Sequence, residues 1–207
     1  MEDPFARLPK RDGVLSQGEI NARKDRGATT LRVILVSGPG HSGKTTLVKN
    51  VIASLAGRGL RIAGILAKGL WENGLRSGFD LVDLSNGRRT PLARRRPHPH
   101  PEHRMMFDFF DSGFQAGAEA LSFRKCRQTD IVVVDEVGRL EAGGRGWAPC
   151  LEALLTLNGP LLILVARLDC LARIRERFGL HDTPAIDVRD TLAGDRLCAA
   201  VEGRLHG

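Results

Sequence analysis

Leu31-Arg32-Val33-Ile34-Leu35-Val36-Ser37-Gly38-Pro39-Gly40-His41-Ser42-Gly43-Lys44-Thr45-Thr46 is the stretch from which the rest of the chain can be placed. Its apolar run, Val33 to Val36, predicts a buried strand. Leu47, Val48, Val51, Ile52 and Leu55 fall on one face of a helix that follows. Between them, Gly38 to Thr45 satisfies the phosphate-loop pattern G-x-x-x-x-G-K-[ST] in its strand–loop–helix setting. Gly38, Gly40 and Gly43 let the backbone turn its N–H groups inward, and the positive end of the helix adds to the attraction for an anion. Lys44 is placed to reach the β- and γ-phosphates, and the Thr45 hydroxyl to hold Mg²⁺. The expected partner is a nucleoside triphosphate (ATP, GTP or another), bound by Gly38, Pro39, Gly40, His41, Ser42, Gly43, Lys44, Thr45 and Thr46.

Outward from that stretch, the length of 207 residues suits one α/β domain with a full core, taken as residues 31–207 behind a flexible arm at 1–30. No apolar run approaches the ~20 residues of a membrane span, and the N-terminal arm lacks the apolar centre of a secretory signal. Cys126, Cys150, Cys170 and Cys198 are widely separated and form no C-x-x-C pair. They read as reduced thiols of a cytoplasmic protein, with neither disulfide framework nor zinc site.

The net charge of +7 is largely local: Arg88, Arg89, Arg94, Arg95, Arg96 and Arg104 face only Glu102 across that stretch. The Pro- and His-rich run from Arg94 to His103 reads first as a solvated loop and second as a polyanion contact, so nucleic acid is a minor expectation. His98, His100 and His103 are a weaker candidate for metal ligation, because alternating prolines hold them apart.

Leu60 to Ala67 is expected to form a second strand, parallel to the first and paired with it, because a helix of crossover length joins them. Phe79 to Leu84 and Arg88 to Leu92, separated by Ser85-Asn86-Gly87, read as an antiparallel hairpin insertion. Arg104 to Phe123 is a helix candidate interrupted by Gly113 and Gly117. Further β–α alternation follows: strand Ile131 to Val134, helix Trp147 to Leu157, strand Leu161 to Ala166, helix Cys170 to Phe178, a short strand Ala185 to Val188 and a helix Thr191 to Leu205. The fold class is therefore three-layer α/β, with its ligand site at the carboxyl ends of a mainly parallel sheet.

Asp135, directly after an apolar strand, is the expected Mg²⁺ partner of Thr45. Glu136 beside it can accept a proton from water in line with the γ-phosphate, which favours hydrolysis over simple binding. Arg139 either stabilises transition-state charge or is an exposed helix-flanking residue. Asp169, where guanine-specific proteins carry N-K-x-D, lacks the Asn and Lys of that motif and reads better as a helix N-cap.

Three blocks carry a family resemblance: Gly38 to Thr46, Gly78 to Leu84 continuing through Gly87 to Ala93, and Val134 to Glu141. Together they resemble the small P-loop nucleoside-triphosphatases that include the cancer-related nucleoside-triphosphatases. The resemblance runs from about Leu31 onward. It implies a RecA-like core, Mg²⁺-dependent hydrolysis of ATP, GTP and related triphosphates, and Glu136 as catalytic base. Two departures stand out. Ala67-Lys68-Gly69-Leu70-Trp71 replaces a Thr-Glu-x-Val-Arg type segment, and Arg139 replaces the usual lysine. The competing readings are a kinase, a nucleotide-dependent adapter in cofactor biosynthesis, and a nucleotide switch or RNA-associated module.

Overall fold

The computed structural model describes residues 32–97 and 106–205. The readings made for residues 1–30, for His98, His100 and His103, and for Arg104 lie outside them.

The chain runs β1 (Val33–Gly38), α1 (Lys44–Gly57), β2 (Ile62–Glu72), β3 (Leu75–Asp83), β4 (Arg89–Arg95), β5 (Phe107–Phe109), α2 (Asp111–Ala120) and α3 (Phe123–Cys126). It continues with β6 (Ile131–Val137), α4 (Arg139–Ala142), α5 (Ala148–Leu154), β7 (Leu161–Arg167), a 3₁₀ turn (Leu168–Cys170), α6 (Leu171–Phe178), β8 (Ala185–Asp187) and α7 (Ala193–Leu205). All the strands join one eight-stranded sheet in the order β5-β4-β3-β2-β6-β7-β1-β8. From β2 to β8 the pairings are parallel, and from β2 to β5 they are antiparallel.

Alternation along the strands divides the core between two faces. Ile34, Val36, Ile131, Val133, Ile163 and Val165 meet α1 and α7 through Val48, Ile52, Leu55, Leu197 and Val201. Val33, Leu35, Val132, Val134, Leu162 and Leu164 meet the other layer, including Phe114, Leu151 and Ile174. Helix α1 ends as its glycines predict. Gly59 takes φ 88°, while Gly59 N–H donates to Ala56 O at 2.9 Å and Leu60 N–H to Leu55 O at 3.3 Å.

Three expectations need correction. β2 shares the sheet with β1 but does not pair with it; β6 and β7 lie between them. These two strands are apolar on both faces and so take the centre, whereas β2 is half-exposed beyond Leu66 and turns to an antiparallel neighbour. The 14 residues of α1 span about 21 Å, enough to cross both intervening strands. Second, the helix expected over 104–123 starts only at Asp111, and Phe107–Phe109 is an edge strand on β4. Third, the run expected as a loop from Arg94 begins as strand: β4, expected to end at Leu92, continues to Arg95, Arg94 pairs with Asp80 at 2.8 Å, and Arg96 pairs with Asp108 at 2.6 Å. The expected hairpin is correspondingly larger, because Asn73 (φ 49°) and Gly74 (φ 75°) also turn β2 into β3. Asn-Gly is the dipeptide that such a two-residue turn selects.

Gly113 and Gly117, which weaken α2 as a sequence, let it lie close to its neighbours. A Cβ at Gly113 would fall 2.6 Å from Pro91 O, and one at Gly117 would fall 2.2 Å from the Trp147 ring. Gly117→Ala is therefore expected to destabilise the fold by about 1–3 kcal/mol through overpacking, despite alanine's better helix propensity. Urea melts of the two proteins measure this; an alanine variant as stable as the parent would contradict the packing.

Candidate active site

The parallel strands bring three carboxyl ends together. Gly38 at the end of β1 is in register with Arg167 at the end of β7, and Asp135 of β6 is in register with Val165. The phosphate loop leaves β1 at this edge. Gly43 precedes α1 at φ 87°, in the left-handed region that a residue with a Cβ adopts only with strain. No side chain caps α1 and its first turn holds no acidic residue, so its N-terminal amides are left for an anion. Ser42 Oγ donates to Pro39 O at 2.8 Å and braces the loop. Gly38 also leaves no room for substitution, since a Cβ would fall 2.4 Å from Val188 Cγ1.

Lys44 is buried, with 4% of its surface exposed. Its Nζ donates to Pro39 O at 2.8 Å and lies 3.6 Å from Glu136 Oε2. Thr45 is half-buried and Thr46 is exposed. His41 is exposed, with φ 60°, and its ring contacts Trp71 at 5.6 Å between centroids.

Asp135 is fully buried, and neither carboxylate oxygen has a hydrogen-bond partner of ordinary geometry. Burial pushes its carboxyl up to about 7; the Glu136 charge adds to this, while the nearby Thr45 hydroxyl, the Lys44 ammonium and the Ala67 amide oppose it. An acidic side chain left unsatisfied beside the Thr45 hydroxyl suits a hard divalent cation with oxygen ligands, so these residues fit Mg²⁺. Among the described residues, no three His, Cys, Asp or Glu side chains gather into a cluster able to hold a metal without other ligands.

The ladder between β6 and β7 slips between Asp135 and Val137. This bulge moves Val137 onto the face of Val132 and Val134, and Glu136 emerges half-exposed between two buried neighbours. Behind it, buried Glu141 accepts hydrogen bonds from Gly138 N–H at 2.8 Å and Trp147 N–H at 3.0 Å, tying down the segment after β6. Burial raises the Glu141 pKa against those bonds.

Not every predicted site residue joins this group. Arg139 is 76% exposed and bonds Asp169 at 3.2 Å. Asp169 caps no helix, contrary to expectation: Arg167 holds it through bonds of 2.9 and 3.0 Å, and with Arg139 keeps its carboxyl down at about 2. Arg76 and Arg167, by contrast, both feel the Glu136 charge, which favours their protonated forms. Neither follows from a motif. Arg76 is on β3, directly opposite Trp71 of β2, the position where the resemblance leads one to expect arginine. The signal in the sequence was the Asn73-Gly74 turn, which sets that pairing.

The model of a family described as NTPase matches residues 33–190. The chain belongs to the NTPase family. Its reaction class is that of a nucleoside-triphosphate hydrolase, and the sheet described above is the family's P-loop fold. Nucleoside-triphosphatase THEP1 of Methanopyrus kandleri is 32% identical over 64% of this chain and 72% of its own length. Its counterpart in Pyrobaculum aerophilum is 30% identical over 69% of this chain and 78% of its own. The solution structure of a human cancer-related nucleoside triphosphatase superposes with a TM-score of 0.63 at 25% identity, covering 83% of this chain and 95% of the other. Among the described residues no helix is long and apolar enough to cross a membrane.

Proposed function

We propose that this enzyme hydrolyses ATP, GTP and related nucleoside triphosphates to the diphosphate and phosphate in a Mg²⁺-dependent reaction, with Glu136 as general base. The observation that carries this reading is the placement of Glu136. Its carboxylate emerges beside a fully buried, unpartnered Asp135 and 3.6 Å from Lys44 Nζ, at the mouth of the phosphate loop. The loop amides from Gly38 to Thr46 and the open N-terminus of α1 hold the phosphates. Lys44 exchanges the Pro39 carbonyl for phosphate oxygens and balances the charge that gathers on the leaving diphosphate. Thr45 and Asp135 would hold Mg²⁺, which supplies further neutralisation of the triphosphate. Glu136 takes a proton from a water molecule as the water's oxygen bonds to the γ-phosphorus, and the bond from that phosphorus to the β–γ bridging oxygen breaks with its electron pair leaving on the diphosphate.

The catalytic unit is residues 31–207. A cytoplasmic setting is supported by four cysteines in the free state, of which Cys126 and Cys170 are buried. The ion pairs of Arg94 and Arg96 with Asp80 and Asp108 consume charge that an RNA contact would need, which favours the hydrolase reading over the RNA-associated one.

The test is phosphate release from ATP, GTP, CTP and UTP, with Mg²⁺ and with excess EDTA. Release from several triphosphates that stops in EDTA is expected. Tight triphosphate binding with no release in Mg²⁺ would transfer the chain to the kinase or switch class.

A further inference from the structure

The β2–β3 hairpin brings a second cation to the phosphate loop, and the mechanism above does not use it. Arg76 stacks its guanidinium 4.2 Å from the Trp71 ring centroid and 5.0 Å from that of Phe79. Its Nη2 lies 3.1 Å from Nδ1 of His41, within the phosphate loop itself. Arginine has no acceptor, so His41 Nδ1 accepts this bond and the ring proton lies on Nε2. Arg76 Nε is buried without a partner. Burial lowers the Arg76 pKa, and the Glu136 charge opposes the shift.

Unlike Arg94, Arg139 and Arg167, Arg76 does not spend its charge. Arg94 is paired with Asp80, and Arg167 and Arg139 with Asp169, whereas Arg76 has no ion-pair partner among the described residues. A partly desolvated guanidinium with an idle donor is a poor structural element and a good anion receptor. The chain also makes room for it. A Cβ at Gly69 would fall 1.2 Å from Arg76 Nη1.

We propose that Arg76 is a catalytic residue that contacts the terminal phosphate of the bound triphosphate, and that Gly69 is a positioning residue that keeps its guanidinium over the loop. The proposal rests on the hydrolase reading. It adds a built-in arginine that neutralises charge on the transferring phosphoryl group, and a means of telling triphosphate from diphosphate. Stacking on Trp71 and Phe79 holds the fork in place at little entropic cost, so its energy appears where phosphoryl charge develops.

The experiment compares wild type, Arg76→Ala, Arg76→Lys and Gly69→Ala in steady-state hydrolysis of ATP and in calorimetric binding of ADP and a non-hydrolysable ATP analogue. Arg76→Ala should lower kcat about 100-fold, weaken the triphosphate analogue, and leave ADP affinity within about twofold of wild type. Lysine should recover little of this, because it lacks the planar fork. Gly69→Ala should shift both readouts in the same direction with an unchanged melting temperature, since what the new methyl displaces is the far end of a flexible side chain. In a Trp147→Phe background, Trp71 emission should respond to the triphosphate analogue and not to ADP.

Equal weakening of ADP and triphosphate would reduce Arg76 to a support for the loop and overturn the proposal, as would wild-type kcat in both Arg76→Ala and Gly69→Ala. If wild type itself shows no turnover, the hydrolase reading fails. The affinity difference between triphosphate and diphosphate then still decides the contact made by Arg76.

Discussion

Glu136→Gln is expected to lose about 10²–10⁴-fold in kcat while binding nucleotide with near-native affinity. The carboxamide keeps the volume and the hydrogen-bonding reach of the side chain but has no basic oxygen to take a proton. The surroundings allow a clean substitution: Glu136 is half-exposed on a bulge, so the amide is solvated and the core strand is not disturbed. Removing its charge also relieves Lys44, whose Nζ lies 3.6 Å away, and that change acts on binding in the opposite direction from a loss of phosphate contacts. Single-turnover hydrolysis beside calorimetry separates the two effects. A variant that retained turnover would end the assignment of Glu136 as base, whatever happened to affinity.

Lys44→Ala should have the largest effect on binding. A charge-assisted bond to phosphate is worth about 1.5–3 kcal/mol, which corresponds to a roughly tenfold to hundredfold rise in Kd for a triphosphate. The loop itself should survive, because the carbonyl of Pro39 that receives Lys44 also accepts a bond from Ser42 Oγ at 2.8 Å. Turnover should fall with affinity, since the same ammonium balances charge on the leaving diphosphate. Titration with the ATP analogue, beside a thermal melt, checks both points. Undiminished affinity in a folded variant would mean that the phosphates are held elsewhere.

These two side chains and Asp135 are readable as a line of text because each belongs to a local unit: a strand end, a glycine-rich turn, a helix start. Local units encode their own geometry. Continuous apolar runs and helical spacing placed β1, α1, β6 and β7 within a few residues of where they lie, and the loop glycines marked the edge of the sheet at which the candidate site forms.

The arrangement of those units across the sheet is a different kind of information. That β6 and β7 separate β1 from β2 follows from competition among strands for the doubly covered centre, and no pair of segments carries that result alone. The neighbourhood of Glu136 is decided in the same way. Arg139 is three residues away in sequence but turns to Asp169, while Arg76, sixty residues earlier, arrives over the loop because an Asn-Gly turn folds β3 back along β2. Gly69 matters only for the guanidinium that occupies its missing side chain, and Gly117 only for the Trp147 ring. The phosphate loop and the candidate carboxylates Asp135 and Glu136 were thus legible in the residues, because the proposed chemistry needs them at fixed local spacing. Which arginine lies beside them was settled by packing, because charge acts through space and the chain's order does not constrain which distant strand supplies it.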